Sequence, residues 1–476
     1  MIVYNQEKQT FTLHTRKTTY QCMVGRLGVL LHLYYGSRVD SEDLSHLIVR
    51  GDRGFSGNPY EAADDRTFSL DTLPQAFPSA GVGDYRVGTL GVINPDGSGA
   101  ADFRYMSHRI LEGKYALEGL PALYEDVPGE AQTLEITLQD ATTGLCVSLL
   151  YGVFEEKDII SRAATFHNPT SDTFTLTRAL SLCLDIPFGS FDMIRFHGRH
   201  TMEREPERIP LPKGITTIAS KRGISSHHHN PALILCEHGA DEDFGECYGL
   251  NLVYSGNFTC DVEQDQMDLI RTVLGQGDDT FRWQLLPGSD FLAPEVVMSY
   301  SAHGLSALSH SFHAIFRHNL CRGVHKLSTR PVLVNNWEAT YFDFDSDKLI
   351  EIARDSANLG IEMLVMDDGW FGQRNSDTRA LGDWQVNRQK LPGGLKPRIQ
   401  RVGAQGLKFG IWVEPEMVSE DSDLYRAHPD WALAIPGRRP TRSRAQLVLD
   451  LSRPEVQDHL YGAIKGVLDE GGVDYV

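Results

Sequence analysis

The 476-residue sequence contains no apolar run long enough to span a bilayer. Its first residues, MIVYNQEKQTFTLHTRK, lack the basic start and apolar stretch of a secretory leader. Positive charge is in short supply. Asp and Glu number 64 against 45 Lys and Arg, leaving a net charge of −19. That balance argues against nucleic acid as a partner while leaving a neutral substrate open. Cysteine is sparse: seven residues, an odd number, with no C-x-x-C pair. Most sit in apolar strand-like runs, such as Cys146 in GLCVSLLYGVF and Cys183 in ALSLCLDIP. Buried thiols in a reducing cytoplasm fit this better than a disulfide or zinc framework. Low-complexity tracts, short repeats, phosphate-cradling glycine loops and a Gly-x-Ser-x-Gly elbow are all missing. The expectation is a cytoplasmic protein with no membrane span and no nucleic-acid partner.

What is present has two rhythms. At this length two or more domains are expected, and 41% apolar residues can fill large cores. Up to about residue 325 the sequence reads as β-structure. TLEITLQD, LCVSLLYGVF, IISRAATFHN, TFTLTRALSLCLDI and ALILCEH are short, often alternating runs divided by turn clusters such as NPTSD and HGADED. Many short strands at regular spacing predict a sandwich over residues 1–325. Over residues 326–476 strands alternate with helices. PVLVNNW reads as a strand, and DSDKLIEIARDSANLG as a helix stopped by Gly360. Strand IEMLVMDD, helix LKPRIQRVGAQG and strand LKFGIWVEPE follow. Ser452 and Glu455 in SRPE form a capping-box signature for a last helix, closed by Gly471-Gly472. Such alternation predicts parallel strands covered on both faces. QLVLDLS reads as another barrel strand or a short accessory one, with the accessory reading favoured, and residues 473–476 then read as the start of the next parallel strand. An eight-stranded barrel takes roughly 250 residues, so the sequence is expected to stop partway through its second domain.

Polar groups gather where each parallel strand finishes: Asn335, Asn336, Trp337 and Glu338; then Asp367, Asp368 and Trp370; then Trp412, Glu414 and Glu416. In a (β/α)₈ architecture the C-terminal strand ends form the active-site face. Carboxylates accept hydrogen bonds from sugar hydroxyls, and indole faces cover the apolar C–H patches of a pyranose ring. A single Asp-Asp-Gly reads equally well as a turn. Repetition at three successive strand ends favours a site. His227-His228-His229 is read as a solvated or hydrogen-bonded loop, because adjacent strand residues face opposite ways and no further ligand is evident nearby. GRRPTRSR is read as a charged loop, one of whose arginines could reach a sugar.

These motifs are long enough to carry a resemblance. NNWEATYFDF, LVMDDGWFG, GDWQVNRQKLPGGL, GIWVEPEMVS, HPDW and QLVLDLSRPEV, in that order, resemble the bacterial α-galactosidases (melibiases) of glycoside hydrolase family 36. RTFSLDTLPQAFP, GDYR, SHRI, KRGISSHHHNP and VYSGNF extend the likeness through the first half. The resemblance implies an all-β N-terminal supersandwich followed by the first part of a catalytic (β/α)₈ TIM barrel. It implies a retaining hydrolase of terminal α-galactosides with no metal or organic cofactor, and a homotetramer. By motif position, Asp367 and Asp368 match the pair that holds the galactose 4- and 6-hydroxyls. Trp337 and Trp412 match the aromatic wall, and Arg444 the sugar-contacting arginine. Asp52 matches an N-terminal-domain aspartate that reaches the pocket, from its own or a neighbouring subunit. Ala445 and Gly57 stand where Asn and Pro are more usual. The resemblance places the nucleophile, in Lys-Trp-Asp, and the acid/base aspartate beyond Val476, so no catalytic carboxylate is expected within the chain. A galactosyltransferase of the same family and a non-catalytic galactoside-binding protein are the competing readings.

Overall fold

The computed structural model describes residues 1–40 and 43–476. They divide into two compact units, Met1–Leu327 and Ser328–Val476.

The first unit is built from antiparallel sheets. One runs in spatial order Met202–Pro210, Phe191–Arg199, His229–Glu237, Cys247–Val253, Glu295–Ser301, Ile159–His167, Cys146–Phe154, Gln132–Asp140 and Phe103–Glu112. A second centres on the long strand Phe174–Ile186, flanked by Ile270–Gln276 and Trp283–Leu285. A third holds the four strands between Ile2 and Ser37. Alternation in the sequence becomes two-faced burial. In Gln132–Asp140, Leu134, Ile136 and Leu138 are buried while Glu135, Thr137 and Gln139 are half-buried. Strands from different sheets share one core, which takes in Ile136, Tyr151, Phe166, Leu184 and Leu250. Six of the seven cysteines are buried, and Cys321 is exposed. The β reading fails near its end, where Gly304–Asn319 is a helix. Its buried Leu308, Phe312 and Ile315 follow the helical period, a signal hidden among serines and histidines.

The second unit contains three parallel strands in the order Leu333–Asn335, Met363–Met366, Lys408–Ile411. Helix Ser346–Asn358 precedes the second strand, and Lys396–Gly403 precedes the third. Asp345 caps the first of these helices, accepting from the backbone N–H of Asp347 and Lys348. At its other end Gly360 has φ +81°, as a helix stop requires. Gln446–Val448 pairs antiparallel with Met417–Ser419, outside the parallel sheet, as an accessory strand. Residues 473–476 lie beside the third parallel strand. Tyr475 bridges Gly410 in parallel, Ile411 N donates to the Tyr475 carbonyl at 2.9 Å, and Asp474 N to that of Phe409 at 2.7 Å.

Two local expectations are corrected. The first parallel strand is only three residues long. The capping box does not form. Pro454 opens helix Pro454–Asp469 and makes Arg453 the N-cap, with no side-chain cap bond. Ser452 instead donates to Asp450 at 2.6 Å, and Glu455 accepts from Arg453. No helix among the described residues is long and apolar enough to cross a membrane.

Candidate functional site

Parallel register sets the site. Asn335 lies opposite Val365, and Met366 opposite Ile411, so the residues that follow each strand emerge together at one edge. Asn336 is fully buried there, and its Oδ1 accepts from Asp367 N at 2.8 Å. Asn335 accepts from Trp337 N at 2.8 Å and donates to Asp367 Oδ2 at 2.5 Å. Asp367 Oδ1 also accepts from Asp368 N at 2.7 Å. The first strand end thus aims the carboxylate at the second. Asp367 is half-buried, and each of its oxygens keeps lone-pair capacity for a further donor.

Asp368 is 3% exposed and differently engaged. Arg374, fully buried, grips it with Nε at 2.9 and 3.1 Å and with Nη2 at 2.8 Å. Arg374 Nη1 donates to the carbonyls of Asp377 and Arg379, at 3.0 and 2.9 Å. One guanidinium therefore ties the carboxylate to the following loop. Gly369 has φ +102°, and a Cβ there would sit 3.1 Å from the Phe342 ring. The Asp-Asp-Gly stretch is a tight turn and a carboxylate cluster at once. Lys390 Nζ straps the turn, donating to the carbonyls of Phe342 and Gly369 at 2.7 and 3.0 Å. Burial lowers the pKa of this ammonium, while Asp368 and Asp343 oppose the shift.

Aromatic rings line the same edge. Trp370 is fully buried, and its indole N–H donates to the Trp412 carbonyl at 2.9 Å. Phe371, Trp384 and Trp412 form a triangle of rings, with Phe371 4.5 Å from Trp384 and 6.4 Å from Trp412, and the two indoles 6.3 Å apart. Trp337 meets the Phe342 ring edge-on at 5.1 Å, and Phe342 lies 5.7 Å from the Arg374 guanidinium. Glu414 Oε2 is buried without a hydrogen-bond partner. Burial, and then the Glu416 charge, push its carboxyl above the ordinary glutamate range.

Of the residues expected from sequence, Trp337, Asp367, Asp368 and Trp412 come together here. Arg444 reaches the cluster's loop, pairing with Asp377 at 3.0 Å while half exposed. Arg444 and Ala445 both adopt left-handed backbone, at φ +51° and +60°. Asn tolerates that conformation better than Ala, which gives the departure at Ala445 a physical meaning. Asp52 belongs to the first unit. There it pairs with Arg66 at 2.8 Å, accepts from Gly54 N, and borders a cavity of about 300 Å³ with Leu47, Val49 and Phe188. The His227 and His228 rings lie 4.2 Å apart, tilted at 34°. No group of three or more His, Cys, Asp or Glu among the described residues is placed to hold a metal ion. Sequence reasoning passed over Arg374 and Lys390, both loop cations whose burial no periodicity announces.

The family model of the glycosyl hydrolase family 36 N-terminal domain matches residues 28–286, and that of melibiase matches residues 290–476. The chain belongs to glycosyl hydrolase family 36. A bifunctional α-galactosidase/sucrose kinase, AgaSK, of Mediterraneibacter gnavus is 53% identical across 100% of the chain and 51% of its own length. The solved galactosidase domain of an α-galactosidase–sucrose kinase, AgaSK, superposes with a TM-score of 0.97 at 52% identity, over 100% of the chain and 66% of that domain. A variant of the family 36 α-galactosidase AgaA from Geobacillus stearothermophilus, solved in complex with raffinose, gives 0.95 at 46% identity, over 98% and 65%. The chain thus spans about half to two thirds of the length of these relatives.

Proposed function

We propose that these residues form the galactose-binding half of a retaining α-galactosidase. The observation that carries this reading is the Asp367–Asp368 pair, held at a parallel strand end beside Trp337 and Trp412. In this reading Ser328–Val476 supplies the first strands of a (β/α)₈ barrel, and Met1–Leu327 is the supersandwich. Substrates are terminal α-galactosides of the raffinose type, a class supported by the raffinose bound to the AgaA variant.

Hydrolysis then runs by double displacement. One carboxylate attacks the anomeric carbon as another protonates the leaving oxygen, and water later releases galactose. Both carboxylates are expected outside residues 1–476. The residues in hand bind and orient. Asp367, with lone pairs free, takes the axial 4-hydroxyl directly. Asp368, neutralised by Arg374, shares the 6-hydroxyl and fixes the turn. Trp337 and Trp412 cover the ring's apolar face. A gluco-configured sugar leaves Asp367 without its donor inside the pocket, a mismatch that costs about 10⁴-fold or more in sites built to bind a hydroxyl. Arg444 is assigned to the sugar by motif position. Asp52 is assigned to substrate binding by motif position alone. A homotetramer is supported by aromatic side chains left in water on the first unit, Phe55, Tyr60 and Tyr85. A cytoplasmic location is supported by seven unpaired cysteines.

The test is to assay residues 1–476 beside the intact enzyme with a chromogenic α-galactoside at equal mass. Turnover is expected from the intact enzyme and none from the 476 residues. Hydrolysis by the pure 476-residue chain would refute this placement of the catalytic carboxylates.

A further inference from the structure

Strands His229–Glu237 and Cys247–Val253 are antiparallel neighbours, and their register sets Cys236 directly opposite Cys247. The next pair outward, Glu237 and Glu246, is hydrogen-bonded, with Glu237 N donating to the Glu246 carbonyl at 3.0 Å. Hydrogen-bonded and non-bonded pairs alternate along an antiparallel ladder, so the two cysteines form a non-bonded pair. In such pairs the Cα atoms lie about 4.5 Å apart and the side chains share one face. That separation falls within the range of about 4.4–6.8 Å that a disulfide spans. Cys22, Cys183 and Cys260 face His32, Val273 and Leu274 instead.

We propose that Cys236 and Cys247 are an oxidisable dithiol, a modification site that closes into a reversible intramolecular disulfide. Both residues are buried in one cluster with Leu308, Phe312 and Ile315 of the neighbouring helix, one residue or two inside the largely exposed loop 238–244. Opening that hairpin end exposes them. Arg208 governs the end: it donates to the carbonyls of Glu237, His238 and Ala240 and pairs with Asp192 at 2.7 Å. Its guanidinium charge favours the thiolate form of Cys236, while Asp192 and burial oppose it. The hydrogen bond from Cys247, and then the Arg208 charge, draw Cys236 below the ordinary thiol range against the effect of burial. The same bond and burial push Cys247 up.

The chemistry is a two-electron oxidation with a peroxide as oxidant. The Cys236 thiolate attacks hydrogen peroxide and its O–O bond breaks, giving a sulfenic acid and hydroxide, which takes up the proton that Cys236 released and becomes one water. The Cys247 sulfur then displaces that hydroxyl as a second water, and the S–S bond forms. Two thiols and one peroxide become one disulfide and two waters.

The experiment uses the chain with exposed Cys321 replaced (Cys321→Ser), leaving six cysteines. The folded protein is treated with hydrogen peroxide, then unfolded, alkylated and mapped by mass spectrometry. Two of the six thiols are expected to be lost, with Cys236 and Cys247 joined by a disulfide and dithiothreitol restoring both. Adding Cys236→Ser abolishes the loss, and adding Cys260→Ser leaves it intact. Six alkylatable thiols after oxidation, or a disulfide between any other pair, would overturn the proposal. The mapping on the Cys321→Ser chain alone decides the matter if a further variant fails to fold.

Discussion

Replacing Arg374 by Met tests whether a buried guanidinium holds the carboxylate cluster together. Arg374 is fully buried, and Asp368 is 3% exposed. The substitution keeps much of the apolar volume and removes three contacts to Asp368 and two to the carbonyls of Asp377 and Arg379. Breaking a buried ion pair from one side costs about 3–5 kcal/mol, because the remaining charge stays buried and unpaired. In a unit of this size that corresponds to a fall in Tm of roughly 10 °C. The second unit reports its own unfolding, since it holds Trp337, Trp370, Trp384, Trp412 and Trp431, against Trp283 alone in the first. Urea or thermal unfolding followed by tryptophan fluorescence therefore reads it. Asp368→Leu alone should cost a similar amount by stranding the guanidinium. The double variant should cost less than the sum, with a coupling of at least about 2 kcal/mol. Additive losses, or an Arg374→Met cost below about 1 kcal/mol, would refute the clamp.

Other expectations follow from the same contacts. Ala445→Asn should stabilise the chain by roughly 0.5–1 kcal/mol, because Asn adopts the left-handed backbone at φ +60° with less strain; a loss in the midpoint of unfolding would contradict this. Glu414→Gln should raise Tm at pH 7 and leave it unchanged near pH 4. The Glu414 carboxyl titrates above its ordinary value, so ionisation above the unfolded pKa costs the folded state and protonation below it costs nothing; an equal effect at both pH values would show that the charge is not responsible. Arg271→Met should destabilise the first unit by about 3–5 kcal/mol, since Arg271 is fully buried between Asp185 and Asp84, each at 2.7 Å; a wild-type denaturation curve would dismiss that network as a support.

Much of this was legible in the sequence because it is periodic. Alternation in TLEITLQD and LCVSLLYGVF foretold the strands Gln132–Asp140 and Cys146–Phe154, and the pattern of Leu349 and Ala353 foretold helix Ser346–Asn358. The favoured accessory reading of QLVLDLS matches strand Gln446–Val448, which pairs antiparallel outside the parallel sheet. Helix Gly304–Asn319 was missed because its apolar stripe is thin and interrupted by polar residues. The capping box failed because Pro454 fixes where the last helix begins. Strand-end clustering brought Trp337, Asp367, Asp368 and Trp412 to notice. It gave no sign that Asp368 is engaged by a cation six residues on, since a loop arginine has no period to betray its burial. The unequal contacts of the two aspartates therefore emerged only in three dimensions.

That inequality supplies the most direct test of the account. In the intact enzyme, kcat/KM is measured for nitrophenyl α-galactoside and nitrophenyl α-glucoside with wild type and Asp367→Asn. Asp367→Asn should cut the galactoside rate by at least about a hundredfold through loss of a charge-assisted hydrogen bond to the sugar. The preference for galactose over glucose should collapse with it, while the unfolding midpoint stays close to wild type. A galactoside rate within about threefold of wild type, with the preference intact, would contradict the claim that this strand-end carboxylate reads the sugar.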